Sequence, residues 1–388
     1  MKVAVKREYF GCFIALLVVL SGCFRVSGGG EYKGPPIRPQ ALTNYYASSG
    51  SYGNYSANLV EQKKRFNRYH IVVSTPAGPV SIEYFKNHQE SDNLVFVFPV
   101  LGGKNIIENH LASYFADRGI DSAVVLRNNE FKDPSRFDSL EQIFRKNVLS
   151  DRFAIDFFEQ EFHKKHFGSF GISRGAINVA MTAGIDPRLK YNIMALGGTD
   201  IPDLFRDSNQ KRIKKYVASV MTEKKISEDK FYKVLRAEIK TAPENTAQYI
   251  DARNALLILA VFDKTVPFEY GLRLRKQMGY PDTIFLVADH YTGLLYTQTA
   301  SIIPPRLGPG YFPFPYIEQE AMSFYRRKFK LGSNWRLLPY KIIQTPVNLA
   351  AEAFFSVGDG LLRMVGEGSY QRKVRAPGFW EKAPLYEQ

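Results

Sequence analysis

Cysteine is almost absent from this chain of 388 residues, which has two. Two thiols cannot build a disulfide framework or a four-thiolate zinc site, so any chemistry must come from oxygen and nitrogen side chains. Long apolar runs are also missing. The run near the start covers Phe13 to Leu20, or twelve residues if taken back to Tyr9, short of the roughly 20 that a spanning helix needs. There is no internal repeat, no G-x-G-x-x-G turn and no phosphate-cradling loop, so neither a nucleotide nor any other cofactor is expected. Acidic residues are the minority charge: 52 Lys and Arg stand against 38 Asp and Glu, a net +14. That excess admits anionic partners of several kinds, including nucleic acid, lipid headgroups and acidic substrates, without choosing among them.

Lys2, Lys6 and Arg7 precede the apolar run, and the small pair Ser21-Gly22 follows it. This is the layout of a secretory signal peptide over residues 1–22. Leu20-Ser21-Gly22-Cys23 resembles the lipobox of bacterial lipoproteins, which implies cleavage before Cys23, lipidation of its thiol and a place in the bacterial cell envelope on the outer side of the membrane. Loss of the leader removes Cys12, three basic residues and one acidic residue, leaving a net +12. Chromosomal nucleic acid is absent from that compartment, so no nucleic-acid partner is expected. The membrane would be met through Cys23.

Residues 23–60 are rich in Gly, Ser, Tyr, Asn and Pro and poor in aliphatic side chains, which predicts a flexible tether. From residue 61 to about 330, two β-rich runs are followed by alternating strand and helix patterns. The strands include the wholly apolar Leu94 to Phe98, Phe167 to Ile172, Ala255 to Phe262 and Thr283 to Val287. That rhythm predicts an α/β domain with a mainly parallel sheet flanked by helices. Residues 200–254 are too long for one connection and read as a helical cap insertion. Leu204 to Lys240 within it holds eleven basic and five acidic residues: a solvated helical face, or a surface for an anionic substrate or headgroup. Residues 331–388 form a proline-punctuated C-terminal tail, in which Asn348 to Val365 has an apolar stripe at helical spacing and no assigned function.

Gly171-Ile172-Ser173-Arg174-Gly175 is a G-x-S-x-G pentapeptide between an apolar strand and a helix rich in small residues. That placement lets a serine stand on a sharp, strained turn above the C-terminal edge of a sheet. Here the chain resembles the α/β-hydrolase superfamily, over roughly Tyr69 to Lys330. The resemblance implies a serine hydrolase of the esterase kind, acting on a small acyl substrate through a triad whose members follow in the chain order Ser, acid, His. Of six histidines one lies beyond Ser173: His290, directly after the strand Thr283 to Val287. Asp263, in Asp263-Lys264-Thr265-Val266-Pro267, fits the acid, with Asp200 after the previous strand as its competitor. Asp289 is too close in sequence to turn onto the ring's far nitrogen.

An oxyanion hole needs two aimed N–H donors. One would be the amide of Arg174. The other would be that of Leu101, in Pro99-Val100-Leu101-Gly102-Gly103, where the superfamily usually carries His-Gly in place of Pro99-Val100. His163 and His166 lack a third ligand at fitting spacing, so no metal is expected. The competing interpretation is a noncatalytic envelope protein that uses the same fold to bind or scaffold.

Overall fold

The computed structural model describes residues 23–28, 32–47, 51–100, 105–297 and 315–339, with single positions or pairs between 341 and 349. Its centre is a ten-stranded sheet. In chain order the strands are β1 (Cys23–Val26), β2 (Tyr55–Gln62), β3 (Phe66–Val73), β4 (Val80–Asn87), β5 (Asn93–Phe98), β6 (Asp121–Val125), β7 (His166–Ile172), β8 (Leu189–Ala195), β9 (Ala255–Ala260) and β10 (Asp282–Leu286). In space they run β1-β10-β9-β8-β7-β5-β6-β4-β3-β2. The six strands from β10 to β6 are mutually parallel, and β4, β3 and β2 continue antiparallel on one edge.

The parallel strands are continuous apolar runs because both faces are covered. In β5, Val95 and Val97 point into one core layer while Leu94, Phe96 and Phe98 point into the other, the period of two that a pleated strand imposes. The first layer is closed by α2 (Ile106–Ala116) and α10 (Tyr316–Lys328), through Leu111, Phe115, Phe324 and Tyr325. The second is closed by α3 (Leu140–Glu161), α4 (Arg174–Ile185) and α9 (Phe268–Gln277), through Phe157, Phe158, Val179 and Leu274. The expected mainly parallel sheet with helices on both faces is the architecture found.

The region expected as a flexible tether is built into the fold instead. β1 pairs antiparallel with β10, Cys23 opposite Leu286. α1 (Gln40–Tyr45) buries Leu42, and the fully buried Tyr46 places its hydroxyl 2.6 Å from that of Thr241. Arg38 donates to the carbonyls of Gly184 and Tyr249 at 2.8 and 3.0 Å. β2 lies along β3 over its whole length. The segment is poor in aliphatic residues but has tyrosines, and aromatic side chains bury large areas while keeping a polar handle.

Burial also bears on the expected lipidation. The side chain of Cys23 is 0% exposed, within the core cluster that covers β10.

The cap is smaller than expected. α5 (Ile201–Asp207), α6 (Lys211–Lys224) and α7 (Glu228–Glu238) pack on the 3-10 segment Pro134–Ser139, where the Phe137 and Phe231 rings stack 4.9 Å apart. The short α8 (Pro243–Thr246) and the residues after it to 254 return to the main domain. Thr246 donates to the Ala180 carbonyl at 3.2 Å, and a Cβ on Gly184 would lie 2.2 Å from the Thr246 carbonyl oxygen. The 1–22 leader lies outside the described residues, as does the Asn348 to Val365 stripe apart from Leu349.

Candidate active site

β7 delivers Ile172 to the C-terminal edge of the sheet, and the chain reverses into α4 within one residue. Ser173 takes up that reversal at φ 54° and ψ −120°, a conformation that costs a side-chain-bearing residue about 1–3 kcal/mol. Its own N–H donates to the Ala195 carbonyl at 2.8 Å, pinning the turn to β8. The two flanking glycines are required by space. A Cβ on Gly171 would lie 2.3 Å from the Gly175 carbonyl, and one on Gly175 would lie 2.5 Å from the Phe98 carbonyl oxygen.

Two loops bring the partners. After β10, Asp289 accepts the N–H groups of Tyr291 and Thr292, both at 2.8 Å, shaping the turn that holds His290. After β9, Asp263 is held by the N–H groups of Thr265 and Val266, which donate to its Oδ1 at 2.8 and 2.9 Å. The loops are stitched together where Phe262 N–H donates to the Ala288 carbonyl at 3.0 Å.

The result is a continuous line. Ser173 Oγ lies 2.9 Å from His290 Nε2, and His290 Nδ1 lies 2.7 Å from Asp263 Oδ2. A carboxylate oxygen only accepts, so Nδ1 carries the proton, and Nε2 is left with a lone pair facing the serine hydroxyl. Asp263 and His290 are both buried, at 6% and 8% exposure, which keeps water from competing for these bonds.

Asp200 stands elsewhere. It begins α5 in the left-handed region at φ 56° and accepts from Arg273 Nη1 at 2.9 Å, so its carboxylate is spent on a half-exposed ion pair rather than on the imidazole. Leu101 lies outside the described residues, while the loop leading to it is held by a group the sequence gave no sign of. The buried Glu108, on the first turn of α2, accepts the Val100 N–H at 2.6 Å. Burial pushes its carboxyl above the usual carboxylate range.

Other neighbours of the site also escaped sequence reasoning. The Arg174 guanidinium lies over the Phe131 ring, 3.2 Å from its centroid, with Lys132 over the same ring at 5.5 Å. Gln210 at the start of α6 donates to the Tyr291 hydroxyl at 2.7 Å, tying the cap to the histidine loop. None of these contacts has a local motif. A cavity of about 910 Å³ lined by Lys64, Arg118 and Trp335 lies at the opposite ends of the parallel strands from Ser173 and contains none of these groups.

No protein-family model and no curated protein matches the sequence. Solved structures do resemble it. Acetyl xylan esterase 1 from Thermoanaerobacterium sp. JW/SL YS485 superposes with a TM-score of 0.52 at 14% identity, covering 78% of this chain and 97% of that one. The acetyl xylan esterase from Paenibacillus sp. R4 gives 0.50 at 16% identity, covering 75% and 91%. The fold is that of the α/β hydrolases. At such identities the likeness is one of architecture: an α/β-hydrolase sheet places the residue after β7, the β9 loop and the β10 loop at one edge whatever the chemistry done there.

Proposed function

We propose that the protein is a serine hydrolase that cleaves small acyl esters. The observation that carries this reading is the unbroken line Ser173 Oγ–His290 Nε2 and His290 Nδ1–Asp263 Oδ2 at 2.9 and 2.7 Å, on a strained turn at the sheet edge. The Ser173 Oγ attacks the acyl carbon, and His290 takes the hydroxyl proton. The carbonyl oxygen becomes an oxyanion received by the Arg174 and Leu101 amides. The ester C–O bond then breaks, and His290 returns the proton to the leaving alcohol. Water, activated by the same imidazole, releases the acid from Ser173. Asp263 holds the ring and stabilises the imidazolium in both halves. The fold shared with two acetyl xylan esterases agrees with ester chemistry.

A fluorophosphonate probe tests the proposal. Labelling of the folded protein that disappears in Ser173→Ala supports it, and a folded wild type that takes no label overturns it.

Membrane attachment is a separate proposal. It is supported by the charged leader, the apolar run and the Leu20–Cys23 motif. The burial of Cys23 adds a condition, that β1 leave β10 in the lipidated form. Mass analysis of protein recovered from bacterial membranes decides the matter: a diacylglyceryl mass on Cys23 supports anchoring, and an unmodified Cys23 overturns it.

A further inference from the structure

The residue after the nucleophile is an arginine, and its side chain is treated differently from its neighbour. Arg127 is paired with the buried Asp151, Nη2 lying 2.7 and 2.5 Å from the two carboxylate oxygens. Arg174 is half-buried and stacks on Phe131, yet among the described residues it has no hydrogen bond or ion pair through its guanidinium. Lys132, on the same ring, likewise has no acidic partner among them. The carboxylates nearest in sequence are occupied: Glu130 receives Arg136 at 2.9 Å, and Asp133 receives the N–H and hydroxyl of Ser135 at 3.0 and 2.8 Å.

A third cation joins from the cap. The Gln210–Tyr291 bond draws the start of α6 over the loop that carries His290, and the exposed Arg212 is two residues further on. Lys132 feels both of the others. Burial, with the fields of Arg174 and Arg212, lowers Lys132 below the ordinary lysine range, and burial with Arg127 pulls Arg174 down to about 9. Of the three, Arg174 is the one drawn out of water, and removing a cation from water without a counter-charge costs stability. Such an arrangement persists at a functional site when an anion is its missing partner.

We propose that this site takes substrates bearing an anionic group, a carboxylate or a phosphate, close to the scissile ester, and that Arg174, Lys132 and Arg212 receive that group. The inference rests on Ser173 being the nucleophile. Arg174 contributes twice: its amide faces the oxyanion, and its guanidinium, kept planar against Phe131, presents the fork that fits a carboxylate or phosphate. Lys132 and Arg212 add charge from the 130–132 turn and from α6, so one binding event closes three separate elements around the substrate. Three other cations of the cap contribute less, because they are already paired: Arg206 with Asp203 and Asp207, Lys224 with Asp138, and Arg236 with Asp203.

Matched ester pairs test this on the full chain. p-Nitrophenyl hydrogen glutarate against its methyl ester places the charge on the acyl side. 4-Acetoxybenzoate against its methyl ester, and 4-acetoxyphenyl phosphate against its dimethyl ester, place carboxylate or phosphate on the alcohol side. We expect kcat/KM to favour the charged member of at least one pair by about tenfold or more, the size of a charge-assisted hydrogen bond. Raising the salt to about 0.5 M should erode that preference. Lys132→Met, at an exposed position, and Arg174→Met should each lower the charged-to-neutral ratio, whereas a merely structural role would slow both members alike. Turnover of the neutral esters with no preference in any pair, or a preference untouched by both substitutions, overturns the proposal. No turnover of any ester together with no fluorophosphonate labelling sinks the hydrolase reading, and this inference with it.

Discussion

Replacing Asp263 by Asn probes the site most sharply, because the surrounding bonds dictate how the amide must lie. Oδ1 accepts two N–H groups, from Thr265 and Val266 at 2.8 and 2.9 Å. An asparagine keeps its carbonyl oxygen there, since its NH2 would face two donors. The NH2 then takes the place of Oδ2, 2.7 Å from His290 Nδ1. A donor at that point forces the imidazole proton to Nε2, where it faces Ser173 Oγ. The ring can no longer accept the hydroxyl proton, although every heavy atom stays in place. A wrong tautomer of this kind costs roughly 10³- to 10⁴-fold in kcat, or about 4–5 kcal/mol of transition-state stabilisation.

Asp200→Asn is the control. Asp200 is a half-exposed partner of Arg273, a pair worth about 0–1 kcal/mol, and Asn tolerates the left-handed backbone that Asp200 adopts. Stopped-flow release of p-nitrophenol in the pre-steady-state burst reads the acylation step directly for both variants. We expect a loss of about three orders of magnitude or more for Asp263→Asn and a rate within about threefold of wild type for Asp200→Asn. Equal losses in the two, or an Asp263→Asn burst within about tenfold of wild type, would refute the tautomer argument.

The remaining expectations concern stability. Arg127→Met strands the buried Asp151, to which Thr182 donates at 2.7 Å, and should cost about 3–5 kcal/mol; a thermal midpoint lowered by less than about 3 °C would count against a buried ion pair there. Gly171→Ala drives a Cβ to 2.3 Å from the backbone of Gly175, so soluble, cooperatively melting protein from this variant would contradict the described turn. Burial, with repulsion from Asp200, pushes the Glu244 carboxyl up to about 7 from its ordinary 4.5. The folded chain therefore holds that proton more tightly than the unfolded one, and stability falls as pH rises from about 4.5 to about 7. Glu244→Gln keeps the Ile201 N–H bond and should gain on wild type by at most about 3 kcal/mol between about pH 5 and about pH 8 in urea unfolding; a difference that does not change with pH would show that the carboxyl is not buried as a charge.

The strands of the parallel sheet were readable in advance because burial on both faces leaves no polar position to blur the run, as in Leu94 to Phe98 and Ala255 to Ala260. The placing of Ser173 and His290 was readable for a related reason: each sits one to four residues beyond such a run, so local order locates it at the sheet edge. The choice between Asp263 and Asp200 was partly local: the segment Asp263-Lys264-Thr265-Val266-Pro267 favoured Asp263, and the amides of Thr265 and Val266 within it hold that carboxylate. What occupies Asp200 is Arg273, 73 residues along the chain, which no spacing rule encodes.

The segment before β3 shows the limit most plainly. Its Gly, Ser and Asn content is that of a linker, and what orders it is contact with residues far along the chain: Tyr46 with Thr241, Arg38 with Gly184 and Tyr249, Cys23 with Leu286. The same is true around Ser173. The pentapeptide announces where a serine stands, but the company of Arg174 is supplied by Phe131, Lys132 and the cap. The placing of Ser173 and His290 follows from short-range sequence, while the contacts around them are assembled by side chains meeting across the fold. Substitutions at Lys132 or Arg212 should therefore redirect selectivity while leaving the hydrogen-bonded line from Ser173 to Asp263 in place.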